Sequence, residues 1–277
     1  MTITNMSFAS HLKDANEGDS YAQSWIGHAY EEGLGVKMDL KKALHWHKKA
    51  AKNGEAYSQC WLAWVFEHGE LARKSLRKSF FWNKRAALQG YPDGEYNVAQ
   101  SYTEGSGVSQ NLKLAVKWWS RAAKQGHVFA QCNLGKAYEE GKGIRRNLPK
   151  AKKLYESSAK HGDSISKFNL GCLKAEAGFF KAAQTAFEPV VPELKKLARR
   201  KDTSAMICLS DCAYNGWGMR LSKQEAVKWY RLAAKESYLK GILGLGYCYQ
   251  EGDGVRKDAK KAKYYFSMAS RMKKARK

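Results

Sequence analysis

Acidic residues are in short supply in this chain. Asp and Glu total 26 against 49 Lys and Arg, which leaves a formal charge of +23. Such a surplus attracts acidic proteins, nucleic acid or anionic headgroups, and charge alone does not choose among them. Proline is scarcer still, at four in 277 residues, so few positions deny the backbone a helical hydrogen bond. No stretch approaches the roughly 18 consecutive apolar residues of a membrane span. Met1 to Leu12 lacks a basic segment followed by an apolar core, so no secretory signal is expected. The six cysteines include no Cys-x2-Cys pair, which argues against a zinc cluster and fits reduced thiols in the cytoplasm.

Catalytic signatures are missing as well. There is no Gly-x-Ser-x-Gly elbow and no His-Glu-x-x-His, and no Gly-Lys-Ser/Thr follows any glycine turn. His45 and His47 are two apart on a helical stretch, point to different faces and do not chelate. The expectation is therefore a protein without catalytic residues, cofactor or metal.

Glycine, by contrast, is plentiful and regularly placed. Gly18, Gly54, Gly90, Gly126 and Gly162 follow at steps of 36 residues, the mark of stacked supersecondary units. The segment Ala22–Tyr30 recurs as Ser58–Phe66, Gly94–Tyr102 and Ala130–Tyr138. A glycine turn follows, as in Glu32-Gly-Leu-Gly-Val36 and Glu140-Gly-Lys-Gly-Ile144, because glycine reaches left-handed angles without a Cβ clash. Then comes a second segment: Lys42–Ala51, Lys78–Ala87 and Leu114–Ala123. Ala115, Trp118, Trp119, Ala122 and Ala123 lie at helical spacing, so this segment reads as an amphipathic helix. Asp39 and Asp258 stand where N-caps belong. The units return around Asn215-Gly-Trp-Gly-Met219 and Leu245–Val255.

These spacings predict an all-α chain of about seven helix-turn-helix repeats of roughly 36 residues. We read 1–277 as one repeat domain. Its regular repeats fill 18–162, an irregular fifth fills 163–201, repeats six and seven fill 202–270, and a basic cap fills 271–277. The second repeat replaces Gly-x-Gly by His68-Gly-Glu-Leu-Ala-Arg73. The fifth shortens its turn to Ala177-Gly-Phe-Phe180, and Pro189 and Pro192 then interrupt its second helix.

The fourth repeat, Ala130-x3-Leu-Gly-x2-Tyr138-x2-Gly-x-Gly-Ile144, and the first, Asp39-x2-Lys-Ala-x2-Trp46-x2-Lys-Ala-Ala51-x2-Gly54, resemble the Sel1-like repeat, a relative of the tetratricopeptide repeat. The resemblance runs from Gly18 to Ser270. It implies a right-handed α-solenoid that serves as a protein-interaction scaffold, common in bacteria. It also implies that the first helix of each repeat lines a concave face and the second a convex one.

Charge divides along the same line. The windows 19–33, 55–70, 91–105, 127–141, 163–178, 202–216 and 237–252 hold 4 basic and 16 acidic residues, leaving 45 basic and 10 acidic elsewhere. The candidate basic face carries Arg73, Lys74, Arg77, Lys78, Arg145, Arg146, Lys195, Lys196, Arg199, Arg200, Arg256 and Lys257. By the family's offsets the candidate groove carries Tyr21, His28, Tyr57, Trp64, Tyr96, Gln100, Phe129, Lys136, Phe168, Tyr214 and Tyr247. Aromatics with few lysines resemble the desolvated centre of a protein interface, whereas a phosphate-tracking groove interleaves them with Lys and Arg. The reading is an adaptor for a peptide or acidic protein, of which a regulatory or toxin-neutralising binder is one form. The alternative is a nucleic-acid-associated protein that uses the basic face. Attachment to a membrane through the C-terminal basic helix is the weakest of the three.

Overall fold

The computed structural model describes residues 8–275, apart from the side chains at 180 and 273–275. Among these residues every regular element is a helix, and each helix packs chiefly on its neighbours in the chain. This is the α-solenoid class that the spacing predicts. The chain forms two compact units. One runs to Ala130 and includes Gly141–Arg145, and the other takes Gln131–Glu140 and the described residues from Arg146 onward.

The first unit holds α1 (Phe8–Glu17), α2 (Ser20–Glu32), α3 (Leu40–Lys52), α4 (Ala56–His68), α5 (Leu76–Leu88), α6 (Pro92–Glu104) and α7 (Leu112–Lys124). Helix α8 (Val128–Glu140) begins there and continues in the second unit. That unit adds α9 (Leu148–Lys160), α10 (Ser164–Glu176), α11 (Phe180–Phe187), α12 (Val190–Arg199), α13 (Thr203–Asn215), α14 (Lys223–Lys235), α15 (Leu239–Glu251) and α16 (Ala259–Ala275). The first helices of the seven repeats are α2, α4, α6, α8, α10, α13 and α15. In the fifth repeat Pro189 splits the second helix into α11 and α12, so that repeat has three helices; Pro192, expected to interrupt as well, lies in the first turn of α12, where its missing N–H costs no helical bond. The basic cap read at 271–277 lies largely outside the described side chains.

Outside the shortened fifth repeat, the turn inside each hairpin is held in one way. The N–H of the residue that caps the second helix donates to a carbonyl near the end of the first: Asp39 to Tyr30, Ser75 to Phe66, Asn111 to Tyr102 and Asn147 to Tyr138, at 2.8–2.9 Å. The second repeat keeps this bond despite lacking Gly-x-Gly, because Gly69 alone supplies the left-handed stop at φ 82°. The Asp39 and Asp258 side chains accept from helix N–H groups, as expected of N-caps. The second glycine of Gly-x-Gly has a different task. At Gly107 and Gly143 an added Cβ would overlap the backbone carbonyls of Leu76 and Leu112, which start the second helix of the preceding repeat. Only a bare backbone lets the turn sit so close.

The periodic glycines are purely conformational. Gly54, Gly90, Gly126 and Gly162 all have positive φ, and nothing lies within 4 Å of an added Cβ. Lys201 (φ 65°) and Ser237 (φ 56°) take the same left-handed stop later in the chain.

Hairpins close by setting a ring against a glycine. A Cβ at Gly135 would come within 2.7 Å of the Tyr155 ring, and one at Gly171 within 2.7 Å of Phe187. Gly27 plays this part against His47. His47 is thus fully buried, at 0% exposure.

A polar ladder, invisible in the hydropathy pattern, ties neighbouring helices of the first unit together. Gln23 Nε2 donates to the Ala15 carbonyl, and Asn53 Nδ2 donates to Gln23 Oε1. One repeat on, Gln59 Nε2 donates to Ala51 and Gln89 Nε2 to Gln59 Oε1. Both ends of each buried amide are satisfied, which is the condition for burying it without penalty. The third rung is a carboxylate. Glu95, 1% exposed, accepts from Gln125 Nε2 at 2.9 Å and from Arg121 Nε at 2.6 Å.

Helix α1 covers the end of the first repeat. Phe8 meets Tyr30 edge-on at 5.6 Å, and His11 stacks on Trp25 at 4.1 Å. The repeat pattern read from Gly18 onward predicts no helix here. Yet Ala15 and Gly18 stand where Ala51 and Gly54 end α3, so α1 is the second helix of a half-repeat.

Two outcomes are expected. Arg121→Ala should destabilise by about 2–3 kcal/mol, because it strands a buried carboxylate. In a Glu95→Gln background, where the rung becomes an amide like Gln59, the same change should cost under about 1 kcal/mol. Denaturant titration of the four proteins decides this, and equal losses in both backgrounds would sink the ladder as described. Lys201→Gly and Ser237→Gly should each raise stability by about 1 kcal/mol by relieving a left-handed non-glycine residue. A fall in thermal midpoint for both would refute that.

Candidate partner-binding surface

In the first unit the repeat places side chains one period apart on equivalent faces of α2, α4, α6 and the start of α8. Tyr21, Tyr57 and Phe129 share one offset, and all three are exposed. Trp64, one period after His28, is exposed too and lies over His68 at 4.6 Å. Tyr21 and Tyr57 border a recess of about 320 Å³ with Ser24, Trp25, His28 and Glu55.

Further along this unit, Tyr96 stacks on His127 at 4.7 Å and lies 6.2 Å from Phe129. His127 is fixed from both ring nitrogens. Nδ1 accepts from the Ala130 N–H, so Nε2 carries the hydrogen that faces Asp93 Oδ1 at 3.1 Å. That hydrogen bond holds the Asp93 carboxyl below its ordinary range. His127 is not among the candidate groove residues, although its place just before α8 is that of an N-cap. Gln100 is half-buried beside Tyr96 in a smaller recess of about 160 Å³.

In the second unit the candidate groove residues fare differently. Phe168 is 5% exposed and belongs to the core, packed at 5.4 Å on Phe187 and at 6.3 Å from Trp217. Its ring is largely taken up in packing and at the same time borders the cavity of this unit. Tyr214 is half-buried, and its hydroxyl donates to Asp253, which also pairs with Lys223. Tyr247 is exposed at the edge of Phe266.

Lys136 lines a cavity of about 480 Å³ walled by α8, α10, α13 and α15. Ile165, Ile207 and Trp217 supply apolar wall. Glu139, Glu140, Glu176 and Asp211 oppose Lys136 and Lys240. Its size is that of a site for a small ligand or a few side chains. Burial pushes the Cys132 thiol up to about 12, raises Cys172, and raises Cys208 well above its ordinary value. These are protonated thiols and poor nucleophiles at neutral pH. Burial likewise lifts Asp211 to about 6, against the pull of Lys240 and Lys136.

Of the basic candidates, Arg73, Lys74, Arg77, Lys78, Arg145, Arg146, Lys196, Arg199, Arg200, Arg256 and Lys257 are exposed, and Lys195 is half-buried. Two of them also serve the fold. Lys78 lies 5.2 Å over the Phe66 ring, and Arg146 Nε donates to the Glu139 carbonyl. The same cation–π contact recurs between Lys42 and Tyr30, Lys150 and Tyr138, and Lys261 and Tyr249. Part of the charge surplus is therefore built into the hairpins. No helix among the described residues is long and apolar enough to cross a membrane.

Carboxyl NMR should show Asp211 titrating near 6. Its folded value lies above the unfolded one, so the stability it contributes is present at low pH and is lost as pH rises from about 4 through 6. Asp211→Asn should remove that loss and leave the protein more stable at pH 7. A midpoint in the ordinary carboxylate range would contradict the burial described.

A family model of the Sel1 repeat matches residues 20–55, 56–91, 92–127, 128–163, 203–238 and 240–274. The interval between the fourth and fifth matches is the three-helix repeat. Comparison with curated proteins gives no match. Among solved structures, the chain is similar to a protective antigen of uropathogenic Escherichia coli that displays an SLR fold. The TM-score is 0.61 and the identity 26%, over 96% of this chain and 56% of that one. It thus spans little more than half of the antigen's length. It is also similar in fold to a Sel1 repeat protein from Oxalobacter formigenes, with a TM-score of 0.54 and 24% identity over 96% of this chain and 88% of that one. The matched repeats account for well over half of the residues, and the chain belongs to the Sel1 repeat family.

Proposed function

We propose that this protein is a non-catalytic scaffold that binds a protein or peptide partner through the first-helix faces of its repeats. The observation that carries this reading is the set of exposed aromatics at repeating offsets: Tyr21, Tyr57, Trp64 and Phe129. Large rings left in water at recurring positions are a poor use of apolar area unless a partner covers them. Sel1 repeats generally serve as protein-interaction scaffolds, which supports the same reading. The exposed basic clusters favour a partner with an acidic surface, because long-range attraction speeds encounter and penalises wrong partners. Six free cysteines support a reducing, cytoplasmic setting.

The second reading, nucleic acid bound through the basic clusters, rests on Arg73, Lys74, Arg77 and Arg199, Arg200, which stand exposed in groups. Capture with the purified protein from lysate, with and without nuclease, separates the two. The scaffold reading expects a discrete protein that survives nuclease and is lost when Tyr57 and Trp64 are both changed to alanine. Recovery of nucleic acid, or of partners that vanish after nuclease, would overturn it. Binding would then weaken steeply as salt rises.

A further inference from the structure

We infer that His28, Glu31 and His47 hold a divalent metal ion of the zinc class at the first repeat. His28 Nδ1 and His47 Nε2 both face Glu31 Oε2. His28 Nδ1, Glu31 Oε2 and His47 Nε2 are all buried, and none of the three has a hydrogen-bond partner. Glu31 Oε2 lies 3.6 Å from His28 Nδ1 and 3.8 Å from His47 Nε2. Those separations are too long for hydrogen bonds. They are a few tenths of an ångström longer than the spacing of about 3.3–3.4 Å between ligands that each bind a tetrahedral zinc ion at about 2.0–2.1 Å. Glu32 stands at the solvent side, and the ligand atoms of His28, Glu31 and Glu32 lie within 4.8 Å of one another.

The surroundings hold these ligands in metal-binding form. Ser58 Oγ lies 2.8 Å from His47 Nδ1 and 2.9 Å from Ser24 Oγ. Ser58 can accept from the Nδ1–H tautomer of His47, the one that leaves the Nε2 lone pair facing Glu31 as a ligating histidine requires. The other carboxylate oxygen of Glu31 accepts from Trp61 Nε1 at 2.8 Å. His47 is clamped between Gly27 and the Trp61 ring, stacked at 4.3 Å.

The fourth repeat shows what the fold does at these positions without a metal. Three periods on, His28, Glu31 and His47 become Lys136, Glu139 and Tyr155. There the Tyr155 hydroxyl donates directly to Glu139 Oε2. An imidazole is shorter than a phenol and does not reach the carboxylate, and His28 replaces the lysine cation with another lone pair. The first repeat thus combines two imidazoles and a carboxylate, a set that suits zinc-like ions better than magnesium or calcium. His28 also borders the recess lined by Tyr21 and Tyr57. This inference stands whether or not the aromatic surface binds a partner.

Metal-stripped full-length protein titrated with ZnCl2, and with CoCl2 for its visible absorption, tests the site. The expected result is one ion per chain and a rise in Tm of roughly 5 °C or more at saturation. Affinity should fall more than tenfold in His28→Ala and Glu31→Gln, both at partly exposed positions. It should fall about 10–100-fold in Ser58→Ala, which removes the group that orients His47. His161→Ala, at an exposed histidine of the second unit, should change nothing. Absence of zinc binding by the unaltered protein would overturn the inference, as would His28→Ala binding with the original affinity.

Discussion

Everything in this structure depends on how closely one backbone can approach another. A hairpin of two short helices buries little by itself, so its stability comes from the neighbouring repeats. Where the turn after a first helix lies on the preceding repeat, as at Gly107 over Leu76 and Gly143 over Leu112, no side chain fits between them. Within the hairpin the same economy sets Gly135 on the Tyr155 ring. Small residues at these points let 13-residue helices stack at van der Waals distance, and the alanine-rich core follows from that spacing rather than causing it.

Close stacking buries polar groups as well, and the ladder at Gln23, Gln59 and Glu95 answers that cost. Each rung takes a hydrogen-bond donor from the end of the second helix of its own hairpin, and the two amide rungs also donate to a carbonyl of the helix before. A misaligned repeat would leave these groups unpaired in the interior, so the ladder specifies register more than it adds stability. Glu95 keeps the pattern with a carboxylate only because Arg121 supplies the second donor.

Outward-facing positions are released from packing, and they vary from repeat to repeat. One offset carries Tyr21, Tyr57, Asp93 and Phe129, and another carries His28, Trp64, Gln100 and Lys136. The period places a side chain at each position without dictating its chemistry, and this freedom is what lets one scaffold present aromatics, a cavity with mixed charge, and a cluster of imidazoles. The fifth repeat departs furthest. Phe168 packs into its core, and the same ring borders the cavity of the second unit.

The sequence by itself determined the helical repeat, its length, the turns of the regular repeats and the existence of the irregular fifth unit. Those features rest on local chemistry: a left-handed stop, an N-cap, a helical apolar stripe. It even held the signal for α1, since Ala15 and Gly18 repeat the end of α3. Only the tertiary structure decided which aromatics remain in water. Phe168 shares its offset with Cys60, Tyr96 and Cys132, buried or half-buried in each repeat, while Phe129 shares the exposed offset of Tyr21 and Tyr57, a distinction that contacts and not residue types reveal. The same holds for His47, which reads as a surface or packing histidine until Gly27 and Trp61 enclose it and its Nε2 and His28 Nδ1 both face Glu31. Burial and convergence arise from contacts between helices, and such contacts leave no periodic trace in the chain.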